Sequence, residues 1–180
     1  MTKEKLSLKQ FLLILNGPSC GGKSSVSDVF LGKYGGIFNA KSDQIKWLIS
    51  DYDANVHQNI IHEMIVELIQ VALKNGLSVL KEGALWEPEK ILQITKDMNV
   101  TFFVANISAP REILEKRFLE RVEAKKKGAK ISNVDPERFW DLNDKYLATK
   151  MESPLEFDSS LQTAEEIADT ISKYIQKNLN

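Results

Sequence analysis

The run from Gly17 to Ser24 constrains this chain more than any other feature. It reads Gly17, Pro18, Ser19, Cys20, Gly21, Gly22, Lys23, Ser24 and fits G-x-x-x-x-G-K-[ST] without a mismatch. The spacing has a physical basis. Glycines let the backbone wrap closely enough for successive N–H groups to point inward at phosphate oxygens. The apolar residues Phe11 to Leu15 ahead of it read as a buried strand, and a helix pattern runs from Lys23 to Lys33 behind it. The positive end of that helix dipole then meets the same anion. On this reading Gly17 to Ser25 cradles a nucleoside triphosphate, Lys23 reaches its β- and γ-phosphates, and the Ser24 hydroxyl completes part of a Mg²⁺ shell. Cys20 has two readings, a space-filler inside the loop or a thiol acidified by the surrounding amides.

The rest of the chain supplies the context such a loop needs. Weak strand character covers Gly36 to Ala40, and Ser42 or Asp43 is expected to cap a short helix carrying Ile45, Leu48 and Ile49. Apolar residues at Val56, Ile60, Ile61, Met64, Ile65, Leu68, Ile69, Ala72 and Leu73 describe a long amphipathic helix packed on the core, stopped by Asn75 and Gly76. Leu77 to Leu80 is a further strand, and Pro88 marks the first turn of the helix after it. Val100 to Ile107 is β-branched and aromatic, as a central strand should be. Pro110 opens a helix to about Lys127, and Asp135 with Pro136 starts the next. Pro154 to Asp158 is the last strand candidate, and Thr163 with Glu166 forms a capping box for the final helix. The first helix is expected to close at Gly32 or Gly35. Strands alternating with helices imply a parallel sheet of about five strands covered on both faces.

Bulk properties exclude several classes. At 180 residues, 43% apolar, the chain is sized for a single domain. Lys plus Arg total 24 against 25 for Asp plus Glu, so no global field favours nucleic acid or an anionic membrane. One cysteine excludes an internal disulfide framework. The first ten residues carry both charge signs and lack the apolar stretch of a signal peptide, and no apolar run approaches the ~20 residues needed to span a bilayer. The expectation is a soluble, cytoplasmic protein without a membrane partner. Oligomeric state is not encoded legibly.

The residues Leu15 to Ser25 resemble the opening of small P-loop kinases related to chloramphenicol phosphotransferase, the zeta toxins, and the gluconate, shikimate and polynucleotide kinases. The resemblance implies a three-layer α/β/α P-loop NTPase fold with strand order 2-3-1-4-5 and a helical lid, here at about 117–138. In that group an Asp after the second strand, often within Asp-x-x-Arg, contacts the acceptor hydroxyl. Asp43 takes that place, with Lys46 standing where the Arg would be. An acidic residue ends the third strand, matched by Glu82 although Asp is commoner, which implies a place near the metal. Lid arginines are matched by Arg117 and Arg121, four residues apart and so on one helix face. The segment Phe157 to Ser160 resembles one that lies near adenine.

What the resemblance implies is ATP-dependent transfer of the γ-phosphate, with Mg²⁺, to a hydroxyl of a small molecule such as a sugar, nucleoside or antibiotic. The catalytic residues would be Lys23, Asp43, Arg117 and Arg121, and the metal side Ser24 and Glu82. Each has a plainer reading: Asp43 as a helix N-cap, Glu82 as a solvated strand end, the arginines as surface partners of Glu115 or Glu120. Arg138 is a further cationic candidate. Trp47 and Trp86 read as acceptor-pocket walls or as core. His57 and His62, five positions apart, do not form a metal pair. The lysine run Lys125 to Lys130 reads as a solvated lid tip, or as the sole support for a nucleic-acid end as acceptor. A nucleoside monophosphate kinase would need arginines in its acceptor region, and Asp43 to Gly76 holds none. A non-catalytic nucleotide sensor would not need Asp43 or the lid arginines. Thr95 to Asp97 lacks the spacing of the guanine-selective motif, which argues against a GTPase.

Overall fold

A computed structural model describes residues 3–85, 87–129, 135–148 and 150–179. Five strands form one sheet: β1 (Phe11–Asn16), β2 (Ile37–Ala40), β3 (Ser78–Glu82), β4 (Thr101–Ser108) and β5 (Glu156–Asp158). They are all parallel, in the order β2-β3-β1-β4-β5. β1 lies between β3 and β4, with Leu15 opposite Glu82 and Ala105, so its six residues are all buried. That explains why β1 is apolar on both faces and does not alternate.

The alternate residues of β1 feed two cores. Leu13 and Leu15 pack with Val26 and Phe30 of α1 (Lys23–Lys33) and with Ile167, Ile171 and Ile175 of α7 (Ala164–Leu179). Leu12 and Ile14 pack with Ile61, Ile65 and Ile69 of α3 (Ala54–Lys74) and with Ile91 and Ile94 of α4 (Pro88–Asp97). Helices thus cover both faces, as expected. Each fully buried Leu or Ile contributes ~1.5–3 kcal/mol of transfer free energy, so Leu13→Ala would weaken both strand and layer packing.

Between α1 and α3 lies α2 (Ser42–Lys46). Above the carboxyl ends of the strands lie α5 (Arg111–Lys126) and α6 (Pro136–Ala148). They share a small cluster of Leu114, Phe118 and Phe139, with the Phe118 and Phe139 rings stacked at 4.3 Å. Arg111 lies over the Trp140 ring at 3.9 Å and ties α5 to α6 again.

Several local expectations need correction. Asp43 is not an N-cap: Lys41 precedes the first turn of α2, and Asp43 lies within that turn. Leu48 and Ile49 fall beyond the helix. Val56 and Ile60 are exposed: they lie off the side of α3 that Ile61, Ile65 and Ile69 turn to the core, although Ile61 in the same turn is buried. Gly32 lies inside α1, and the helix closes where the Tyr34 N–H donates to Phe30 O. Asp135 does cap α6, accepting from the Arg138 N–H at 2.7 Å. Thr163 and Glu166 form the reciprocal box, at 2.8 Å and 3.2 Å. Among the described residues, no helix is long and apolar enough to cross a membrane. Trp86 and Lys130 lie outside the described residues.

Candidate active site

The Gly17–Ser24 loop turns directly from β1 into α1. A Cβ on Gly17 would stand 2.0 Å from the Ile107 carbonyl oxygen, so nothing larger than glycine lets the loop lie this close to β4. Gly22, the residue before α1, has φ of 96°, which a side chain disfavours. The first N–H groups of α1 lack intrahelical acceptors, as in any helix, and Gly22 to Ser25 line an open cleft of about 1170 Å³. This is the geometry an anion site needs.

Lys23 folds back over the loop, donating to Gly17 O at 2.8 Å and Pro18 O at 2.7 Å. Burial pushes its ammonium down to about 8, partly offset by Glu82 and worsened by Arg121. A polyphosphate in the cleft would remove that penalty. Cys20, at φ 62°, packs against the Phe118 and Phe139 cluster, in keeping with a space-filling side chain.

Across the sheet the Ser24 hydroxyl donates to Glu82 Oε2 at 2.7 Å, and Glu82 Oε1 pairs with Lys41 Nζ at 3.1 Å. Glu82 is therefore no solvated strand end; its side chain is 8% exposed. A hydroxyl and a carboxylate joined in this way fit Mg²⁺, which takes one or two protein oxygens beside phosphate and water. Among the described residues no cluster of three His, Cys, Asp or Glu offers an alternative metal site.

Asp43 lines the same cleft beside Lys41 and Ser42, and Lys46 donates to its Oδ1. From α5, Arg117 donates to Cys20 O at 3.2 Å, Ser159 Oγ at 2.8 Å and Ser159 O at 2.8 Å. It joins α5, the Gly17–Ser24 loop and the segment after β5. Arg121 lies one turn further on and lines the cleft with it. Neither arginine is paired with Glu115 or Glu120 among the described residues. Residues Ser159 to Ala164 close the far side.

Arg138 and Trp47 are not among the cleft-lining residues. Trp47 is 45% exposed, with Lys46 5.7 Å over its ring. His57 accepts from the Asp53 N–H at 3.0 Å and supports the start of α3. His62 borders a narrow recess with Lys81, and burial lowers its basicity. Two contributors escaped the sequence reading. Asn143 of α6 accepts from the Ser19 N–H at 2.6 Å, a contact with no sequence motif. Lys81 is 2% exposed on β3, and its signal was register: two residues after Val79, it must face the same buried layer.

The zeta toxin family matches the sequence over residues 2–153. Among curated proteins no sequence matches. Solved structures share the fold at low identity. A kinase candidate from Chloroflexus aurantiacus j-10-fl has 16% identity and a TM-score of 0.71, covering 96% of this chain and all 100% of its own. The Mycobacterium tuberculosis APS kinase CysC, solved with AMPPNP and APS, has 16% identity and a TM-score of 0.66, covering 94% and 99%. A chain of the Pnkp1/Rnl/Hen1 RNA repair complex has 17% identity and a TM-score of 0.61, covering 79% and 45%. The chain belongs to the zeta toxin family and has the fold of the P-loop kinases.

Proposed function

We propose that the chain is an ATP-dependent phosphotransferase that moves the γ-phosphate to a hydroxyl of a small molecule. The observation that carries this is the convergence of Ser24 with Glu82, Asp43, Arg117 and Arg121 on one cleft at the carboxyl ends of the strands. Open α/β sheets bind their ligands at that edge.

The loop amides and Lys23 would hold the triphosphate, and Ser24 and Glu82 would hold Mg²⁺. When bound, Mg²⁺ offsets charge on the phosphate oxygens. Asp43 orients the attacking hydroxyl and accepts its proton, while Lys46, which donates to Oδ1, holds the carboxylate in place. Arg117 and Arg121 face the same space and neutralise charge that grows on the transferring group. Because Arg117 also holds Cys20 and Ser159, the lid helix and the loop move as a unit when the cleft closes.

A nucleic-acid end as acceptor has narrower support: the RNA repair neighbour, and exposed Lys125, Lys126 and Lys127 at the end of α5. The test is ADP release from Mg²⁺ and ATP with a panel of hydroxylated metabolites and, separately, 5′-hydroxyl oligonucleotides. Stimulation by a metabolite supports the proposal. Stimulation by oligonucleotides alone replaces the acceptor, and no stimulation by either rejects transfer.

A further inference from the structure

Both cleft carboxylates already have a lysine. Asp43 is paired with Lys46, and Glu82 with Lys41 at 3.1 Å. With Lys145 paired with Asp141 at 2.8 Å, two lysines lining the cleft have no carboxylate in ion-pair range among the described residues, Lys23 and Lys81. A triphosphate accounts for Lys23. Nothing derived so far accounts for Lys81.

Lys81 is 2% exposed, and its Nζ donates to the Glu82 carbonyl. An ammonium has three donors, so two remain for a ligand. Burying such a group without a counter-charge is costly, and the structure tolerates it at the edge of the cleft beneath Gly83, where a Cβ would stand 3.9 Å from Nζ. The recess on its other side, lined also by His62, Ile91 and Glu87, offers about 10 Å³, room for about one water, and its one carboxylate, Glu87, is paired with Lys90 at 3.5 Å. A counter-ion for Lys81 must therefore come from the cleft. Among the described residues the cleft is lined by Lys23, Lys41, Lys81, Lys145, Arg117 and Arg121 against Asp43 and Glu82. Asp141 offsets Lys145 and MgATP about two further positive charges, which leaves about one positive charge of the cleft unmatched.

We propose that Lys81 is the specificity-determining cation of the acceptor half of the cleft, and that the acceptor is a hydroxylated small molecule carrying a carboxylate or phosphate that sits against it. This rests on the phosphotransferase reading above. Charge at this point also discriminates: an uncharged acceptor leaves a buried cation unpaired, which weakens its binding more than loss of an apolar contact would.

The test uses the full chain saturated with Mg²⁺ and AMPPNP, so that the phosphate loop is filled, followed by inorganic phosphate or acetate, with binding read from NMR shifts. The expected result is saturable binding of at least one anion, ~10–100-fold weaker in Lys81→Met and largely kept in Lys81→Arg. Binding of phosphate alone points to a phosphorylated acceptor, and binding of acetate as well points to a carboxylate. Lys81→Gln gives the same comparison if the Met variant does not fold. Equal affinity in the wild type and the uncharged variants, or no saturable anion binding by the loaded wild type, overturns the inference and leaves the phosphotransferase reading standing. Absence of Mg²⁺-dependent AMPPNP binding overturns both.

Discussion

Ser24 Oγ and Glu82 Oε2 lie 2.7 Å apart, joining the first turn of α1 to the end of β3. Parallel pairing sets the approach, because Leu15 and Glu82 stand in register immediately before the phosphate loop begins. If this pair holds the metal, Ser24→Ala and Glu82→Gln should each raise the Mg²⁺ concentration for half-maximal nucleotide binding by ~10–100-fold, the usual cost of disturbing a ligand or its supporting partner. Titrations of Mg²⁺ at fixed ATP would show it, and an unchanged midpoint in both variants would detach the pair from the metal.

Asp43 is held by Lys46 and faces the cleft, so its removal is predicted to affect turnover more than folding. Asp43→Asn should lower kcat by ~10²–10⁴ with nucleotide affinity retained. Wild-type turnover in this variant would take Asp43 out of the mechanism.

Arg117 bridges three structural parts through planar, forked contacts that an ammonium cannot reproduce. Arg117→Lys is therefore expected to behave like Arg117→Ala, with a loss of kcat of at least ~10²-fold. Steady-state rates for the two variants decide this, and recovery of activity by lysine would reduce Arg117 to a point charge.

Much of this was legible before any coordinates, for identifiable reasons. The phosphate loop could be read because its glycines answer to local sterics: Gly17 must clear Ile107 O, and Gly22 must take a positive φ. Strand order followed from the resemblance, and buried β1 from five consecutive apolar residues. Side chains acting across long sequence separations were not legible. Asn143 meets Ser19 across 124 positions, and no local pattern announces it. Lys81 drew no notice because a lysine between the apolar run ending at Leu80 and Glu82 is ordinarily solvated, yet β3 runs through Glu82 and buries it. Val56 and Ile60 misled in the opposite direction: an apolar residue near the edge of a helical stripe need not share its packed side, which Ile61, Ile65 and Ile69 fill.

Stability should respond to the box at the start of α7. The Glu166 carboxylate accepts from the Thr163 N–H and hydroxyl, and these bonds hold its pKa below the usual carboxylate range. A depressed folded pKa contributes stability above the unfolded value and loses it as pH falls through the folded one. Thr163→Ala should cost ~0.5–2 kcal/mol at neutral pH, and the difference from wild type should shrink in strongly acidic solution. Urea unfolding at both pH values checks this, and a pH-independent difference would contradict it.

The central claim concerns the loop itself, and direct binding of ATP with and without Mg²⁺ tests it most closely, comparing the wild type with Lys23→Ala. Lys23 spans Gly17 O and Pro18 O from within the loop and lines the cleft. Mg²⁺-dependent ATP affinity is expected in the wild type, weakened by ~10-fold or more in Lys23→Ala. Wild-type protein with no Mg²⁺-dependent affinity for ATP, or a Lys23→Ala variant that binds ATP as tightly, would contradict it.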